Sequence, residues 1–106
     1  MEVVDACLLL DFYGQLLTDR TRMILELHFS EDMSLTEIAE QESITRQAVH
    51  DTIRRGLRTL QEYEDKLQLI RRFNVQKTKV REAAVSLSNQ NNDEALRLLT
   101  ELLEQL

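Results

Sequence analysis

The stretch SLTEIAEQESITRQAVHDTIRRGL, Ser34 to Leu57, carries two helical patterns separated by a tight break. Ser34 and Glu37 have the spacing of a capping box. In that motif the hydroxyl accepts from the backbone N–H three residues on, and the carboxylate reaches back to the first residue. Ile38 and Ala39 supply the face that this short helix buries. The break falls at QESIT. Thr45 is a good N-cap for the next helix, and Ile44 just before it staples the entry of the chain. Val49, Ile53, Leu57 and Leu60 follow at spacings of three and four, so a long helix runs to about Lys66. Gly56 inside it costs about 1 kcal/mol relative to alanine, which close packing against a neighbour would explain.

A short helix, a tight turn and a longer helix make a helix-turn-helix, whose second helix enters the DNA major groove led by its N-terminal residues. The chemistry needs donors on the exposed face: arginine for guanine, glutamine for adenine, and further cations for phosphates. Arg46, Gln47 and His50 fall in the first turn and a half, and Arg54, Arg55 and Arg58 follow. Val49, Ile53 and Leu57 face the other way, toward the preceding helix. Polar reach and core packing thus separate by face. The same pattern also suits an ordinary solvated helix surface, and His50 suits an ordinary surface histidine.

Working outward, Val4, Cys7, Leu8 and Leu10 predict a first helix running to about Leu17. Thr18 caps a second helix, DRTRMILELHF, with Asp19 in its favourable first turn and Met23, Ile24 and Leu27 on one face. Downstream, Leu67, Ile70, Phe73, Val80, Ala84 and Leu87 form a broken helical stripe. SNQNN, Ser88 to Asn92, reads as a polar turn, with Asn92 or Asp93 capping a final helix. Leu96, Leu99, Leu102, Leu103 and Leu106 give that helix a leucine-rich face, read as completing a core or being shared between subunits.

With 106 residues the chain has room for a modest core. It has no proline and two glycines, while leucine, glutamate, glutamine and arginine abound, so the fold class is all-α. The net charge is −6, which argues against tight, stand-alone, non-specific binding of nucleic acid. That charge is unevenly spread. Residues 1–45 carry −8, residues 46–60 carry +3, residues 71–88 carry +4 and residues 89–106 carry −3. A weak or partner-assisted binder fits this distribution better than a strong solitary one. The basic run at 71–81 reads as a solvated face, or as an extension of a nucleic-acid footprint.

Catalysis finds no support. Two isolated glycines cannot build a phosphate loop, and the carboxylates are scattered rather than paired. Cys7 has neither His28 nor His50 at metal-ligand spacing, so no metal or other cofactor is expected, and Cys7 reads as a small buried hydrophobe. One cysteine cannot form an internal disulfide, and the apolar start has no basic leader and is too short to span a bilayer. A cytoplasmic protein without membrane insertion is expected.

The residues LLDFYGQLLTDRTRMILELHFSEDMSLTEIAEQESITRQAVHDTIRR, Leu9 to Arg55, resemble the YlxM family of small bacterial helix-turn-helix proteins. DFYGQLLT and SLTEIAEQESITRQAVHD are the specific parts. The same helices are similar, more distantly, to region four of the bacterial sigma-70 factors, which reads a promoter element. The resemblance is good from about residue 3 to 70 and loose beyond. It implies a sigma-70 region 4-like helix-turn-helix bundle with additional C-terminal helices. It also implies that Thr45 caps the recognition helix and that Arg46, Gln47, His50 and Arg54 face bases or phosphates. Genes of the YlxM family lie beside those for the signal recognition particle GTPase. The resemblance therefore implies a regulatory or accessory role in that pathway, with DNA, the particle's RNA or its GTPase as ligand. Sigma region four works within a larger factor, whereas this chain carries an extra C-terminal part instead. The expected organisation is a helix-turn-helix domain over residues 1–66 and a helical extension over 67–106, packed on the same core or used in dimerisation. A homodimer is expected, because helix-turn-helix dimers set two recognition helices about 34 Å apart on successive grooves.

Overall fold

The computed structural model describes residues 5–106, which are helical throughout apart from caps and turns, with no strand among them. The helices are α1 (Ala6–Tyr13), α2 (Asp19–Phe29), α3 (Leu35–Glu42), α4 (Arg46–Leu67), α5 (Leu69–Ser88) and α6 (Asn92–Gln105). The chain divides into two compact units, the first ending at Gln68 and the second spanning Leu69–Leu106. Val4, expected in the first helix, lies outside the described residues.

In the first unit, α1, α2 and α3 all pack on α4. The core is made by Tyr13, Ile24, Leu25, Ile38, Val49 and Leu60, each almost wholly withdrawn from solvent. Caps set where the helices begin. Thr18 accepts from the Thr21 N–H at 3.3 Å, Ser34 from that of Glu37 at 3.1 Å, and Thr45 from that of Ala48 at 3.0 Å. Helix α1 stops earlier than its hydrophobic spacing predicts. It ends at Tyr13 and tightens into a 3₁₀ turn, Gly14–Leu16, because Leu17 must be extended to lead into the Thr18 cap. The Tyr13 hydroxyl donates to the Glu64 carboxylate at 2.6 Å, tying α1 to the far end of α4 in a buried bond. Cys7 is half-buried rather than buried, with its thiol 3.4 Å from the Phe29 carbonyl.

Gly56 lies where α4 meets α2. A Cβ there would stand 2.8 Å from Leu25 Cδ1 and 3.1 Å from Thr21 Cγ2, both closer than ordinary contact. The glycine lets the two backbones approach, as its position inside a long helix suggests.

The second unit is a helical hairpin of α5 and α6 joined through Asn89, Gln90 and Asn91, with Gln90 at φ 61°. The cap of α6 is Asn91, not Asn92 or Asp93: its side chain accepts from the Glu94 N–H at 3.2 Å. That register puts Asp93 and Glu94 in the first turn, where the helix dipole favours them. The leucine stripe of α6 is only partly covered within the chain. Ala95 and Leu98 are buried and Leu102 half-buried, whereas Leu96, Leu99, Leu103 and Leu106 are exposed. Of the stripe predicted along α5, Ile70 is buried, while Val80, Ala84 and Leu87 are exposed and Ala83 takes the inner position. Ala83, Ala95 and Leu98 thus fill the inner positions that the sequence pattern assigned to other apolar residues.

Candidate nucleic-acid interface

Helices α3 and α4 make the helix-turn-helix. Ser43 takes the left-handed conformation at φ 55°, which ends α3 and lets the Ile44 N–H return to the Ala39 carbonyl at 3.1 Å. Thr45 is extended and opens α4. Ile38 and Ala39 of α3 and Val49 and Ile53 of α4 are buried, so the two helices are held by their apolar faces.

Opposite that face, Arg46, His50, Arg54 and Arg58 recur every four residues and are all exposed, with Gln47 beside them. A four-residue repeat drifts slowly around a helix, so these side chains form one row about 18 Å long. No carboxylate among the described residues comes within ion-pair distance of Arg46, Arg54, Arg55 or Arg58. Arg55 is separated from the row. It lies on the flank of α4 that lines a cleft of about 350 Å³ with Thr52, Thr59 and the start of α2, and its Nε donates to the Asp51 carbonyl at 3.4 Å. Arg55 therefore does not join the row of Arg46, His50, Arg54 and Arg58.

Asp51 is the group that sequence reading underweighted. Its Oδ1 accepts from Gln47 Nε2 at 2.9 Å and lies 3.7 Å from His50 Nδ1. That bond uses one of the two amide hydrogens of Gln47 and fixes the side chain toward Asp51, leaving its second N–H and its oxygen free. The four-residue spacing of Gln47 and Asp51 was the available signal.

The flank supplied by α3 is acidic. Glu37, Glu40 and Glu42 lie on it, and Glu37 is held by the capping box, where its Oε1 accepts from the Ser34 N–H at 3.2 Å. The Ser34 N–H and hydroxyl hold the Glu37 carboxyl below its ordinary pKa. A resident carboxylate therefore sits where a phosphate would otherwise approach the start of α3. Among the described residues no group of three or more histidine, cysteine, aspartate or glutamate side chains could hold a metal, and no helix is long and apolar enough to cross a membrane.

A family model described as "UPF0122: Putative helix-turn-helix protein, YlxM / p13 like" matches residues 2–100. The chain belongs to this YlxM / p13-like family. The match runs through α5 and into α6, so it takes in the part beyond residue 70 where the resemblance in the sequence is loose. A UPF0122 protein of Desulforamulus reducens is 47% identical over 88 residues, covering 83% of this chain and 75% of the relative. One from Acetivibrio thermocellus is 41% identical, covering 99% of this chain and 96% of the relative. The UPF0122 protein YlxM of Bacillus subtilis is 38% identical over 98 residues, covering 92% of this chain and 89% of the relative. The family's helix-turn-helix description agrees with the α3–α4 geometry, and its extent makes the C-terminal hairpin part of the family's common body.

Proposed function

We propose that this chain is a cytoplasmic regulatory protein that binds duplex DNA through α4, acts without a catalytic step, and serves the signal recognition particle pathway. The observation that carries the DNA reading is the exposed row of Arg46, His50, Arg54 and Arg58 on a helix seated by Val49 and Ile53, with its arginines clear of carboxylates among the described residues. Arg46 and Gln47 lead the helix and would contact bases, with His50 and Arg54 behind them. Arg58 and Arg55 would contact phosphates, and Thr45 holds the first turn. The acidic charge of residues 1–45 makes binding weak or dependent on a partner.

The test is selection of bound sequences from a random duplex pool, followed by affinity against salt. Each phosphate contact contributes a slope of about −0.9 in the logarithm of the binding constant against that of salt. Arg46→Ala with Gln47→Ala should relax sequence preference, and Arg58→Ala should weaken all duplexes alike. Binding that is indifferent to both salt and these substitutions would refute the reading.

The acidic α3 favours a second reading. With Glu37 occupying the start of that helix, the usual approach of a DNA backbone to α3 is opposed. An accessory role that contacts the particle's GTPase, or its RNA away from α3, avoids that approach. Structured RNA run beside the duplex pool, and a pull-down scored for particle RNA and GTPase over bulk nucleic acid, distinguish the two.

A further inference from the structure

The C-terminal hairpin has two unlike flanks. On one, Lys79 of α5 reaches Glu101 of α6 at 3.5 Å, and Arg97 pairs with both Glu94 and Glu101. Those bonds hold the Glu94 carboxyl below its ordinary pKa and keep Arg97 charged. The other flank is apolar. The two helices meet through Ala83 on α5 and through Ala95 and Leu98 on α6. Counting about 100° per residue from those contacts, in opposite senses for the two antiparallel helices, turns two stripes to the same side. They are Val80 and Leu87 on α5, and Leu96, Leu99, Leu103 and Leu106 along α6 and its C-cap.

These six residues are 49%, 52%, 66%, 40%, 70% and 78% exposed in that order. At about 170 Å² for a fully exposed residue of this size, they present about 600 Å² of surface, the upper end for the largest apolar patch of a monomer. A standard interface takes about 800 Å² from each partner, so this patch would make up most of one side. The hairpin has little core of its own, since Ala83, Ala95 and Leu98 bury little volume between helices of 20 and 14 residues. Charge selects the occupant. Residues 71–88 carry +4 and residues 89–106 carry −3, so a second hairpin related by a two-fold axis running along the helices lays each basic helix beside an acidic one.

We propose that two copies of this chain pair through this face, α5 of each on α6 of the other, into an antiparallel four-helix bundle. The heptad-like spacing of Leu96, Leu99, Leu103 and Leu106 gives α6 a seam for such a bundle. The pairing is isologous and stands apart from the nucleic-acid reading, because it uses no residue of α4.

Sedimentation of the full chain across the micromolar range tests it. A dimer is expected, and Leu103→Glu and Leu96→Glu should each weaken it by about tenfold or more, because a charge is then placed in a desolvated seam. Both side chains are exposed in the single chain, so helix content by circular dichroism should hold. Val80→Lys on α5 supplies the same reading should Leu103→Glu lose helix. Glu82→Gln, on the opposite flank, should leave the dimer unchanged. A monomer at every concentration overturns the proposal, as does a dimer that the Leu96, Leu103 and Val80 substitutions all leave intact.

Discussion

Replacing Gly56 by alanine sets two effects of known size against each other. Helix propensity favours alanine by about 1 kcal/mol in a helix interior. Opposing it, the new methyl would stand 2.8 Å and 3.0 Å from the two δ-carbons of Leu25 and 3.1 Å from Thr21 Cγ2. Leu25 is 0% exposed, so its methyl groups have packed neighbours on every side and no solvent to move into. Overpacking a dense core costs about 1–3 kcal/mol. The clash should outweigh the propensity, leaving Gly56→Ala destabilised by about 1 kcal/mol, which for a unit of this size lowers Tm by about 4–8 °C. Thermal and urea denaturation followed by circular dichroism measure this. A paired substitution isolates the cause. Leu25→Val withdraws the reach of the side chain at a cost of about 1 kcal/mol, and in that background Gly56→Ala should become neutral or stabilising. Equal or higher stability of Gly56→Ala with Leu25 in place would refute the argument, because it would mean that Leu25 yields freely. The contact matters to function because α2 is one of the supports that hold α4 and its arginine row.

Thr45→Ala removes the acceptor for the Ala48 N–H and should cost about 1 kcal/mol in a urea melt, with Thr45→Asp restoring most of it. The same substitution should fray the turn that carries Arg46 and Gln47. Acid titration of stability should expose Glu37. Its folded pKa is lowered, so the stabilisation is present above the unfolded carboxylate value of about 4.3 and lost as pH falls through the lower folded value. Glu37→Gln should therefore flatten part of the acid limb of the denaturation midpoint against pH, and an unaltered limb would count against the capping box as its source.

Much of the first unit was legible because its signals are local. A hydroxyl and a carboxylate three residues apart cap α3 whatever surrounds them, and Thr18 and Thr45 do the same for α2 and α4. The period of Val49, Ile53 and Leu60 fixes the buried side of α4, and with it the outward direction of Arg46, His50, Arg54 and Arg58. The exposed row was less fully legible than its direction, since Asp51 engages Gln47 through a side-chain bond and Arg55 turns to a different cleft.

Composition and short-range pattern by themselves determined an all-helical chain, the capped starts of α2, α3 and α4, and the separation of charge from core along α4. The caps depend on residues within about one helical turn of each other, and the faces of α4 on a regular spacing along one helix, so covalent geometry already sets both. Only the tertiary structure decided which apolar residues of α5 and α6 are covered. Both helices carry more hydrophobic positions than one contact can bury, so Ala83, Ala95 and Leu98 are covered while Leu96, Leu99, Leu103 and Leu106 stay outside. Likewise, Gly56 acquires its reason only when Leu25, thirty-one positions earlier in the chain, is brought within van der Waals reach.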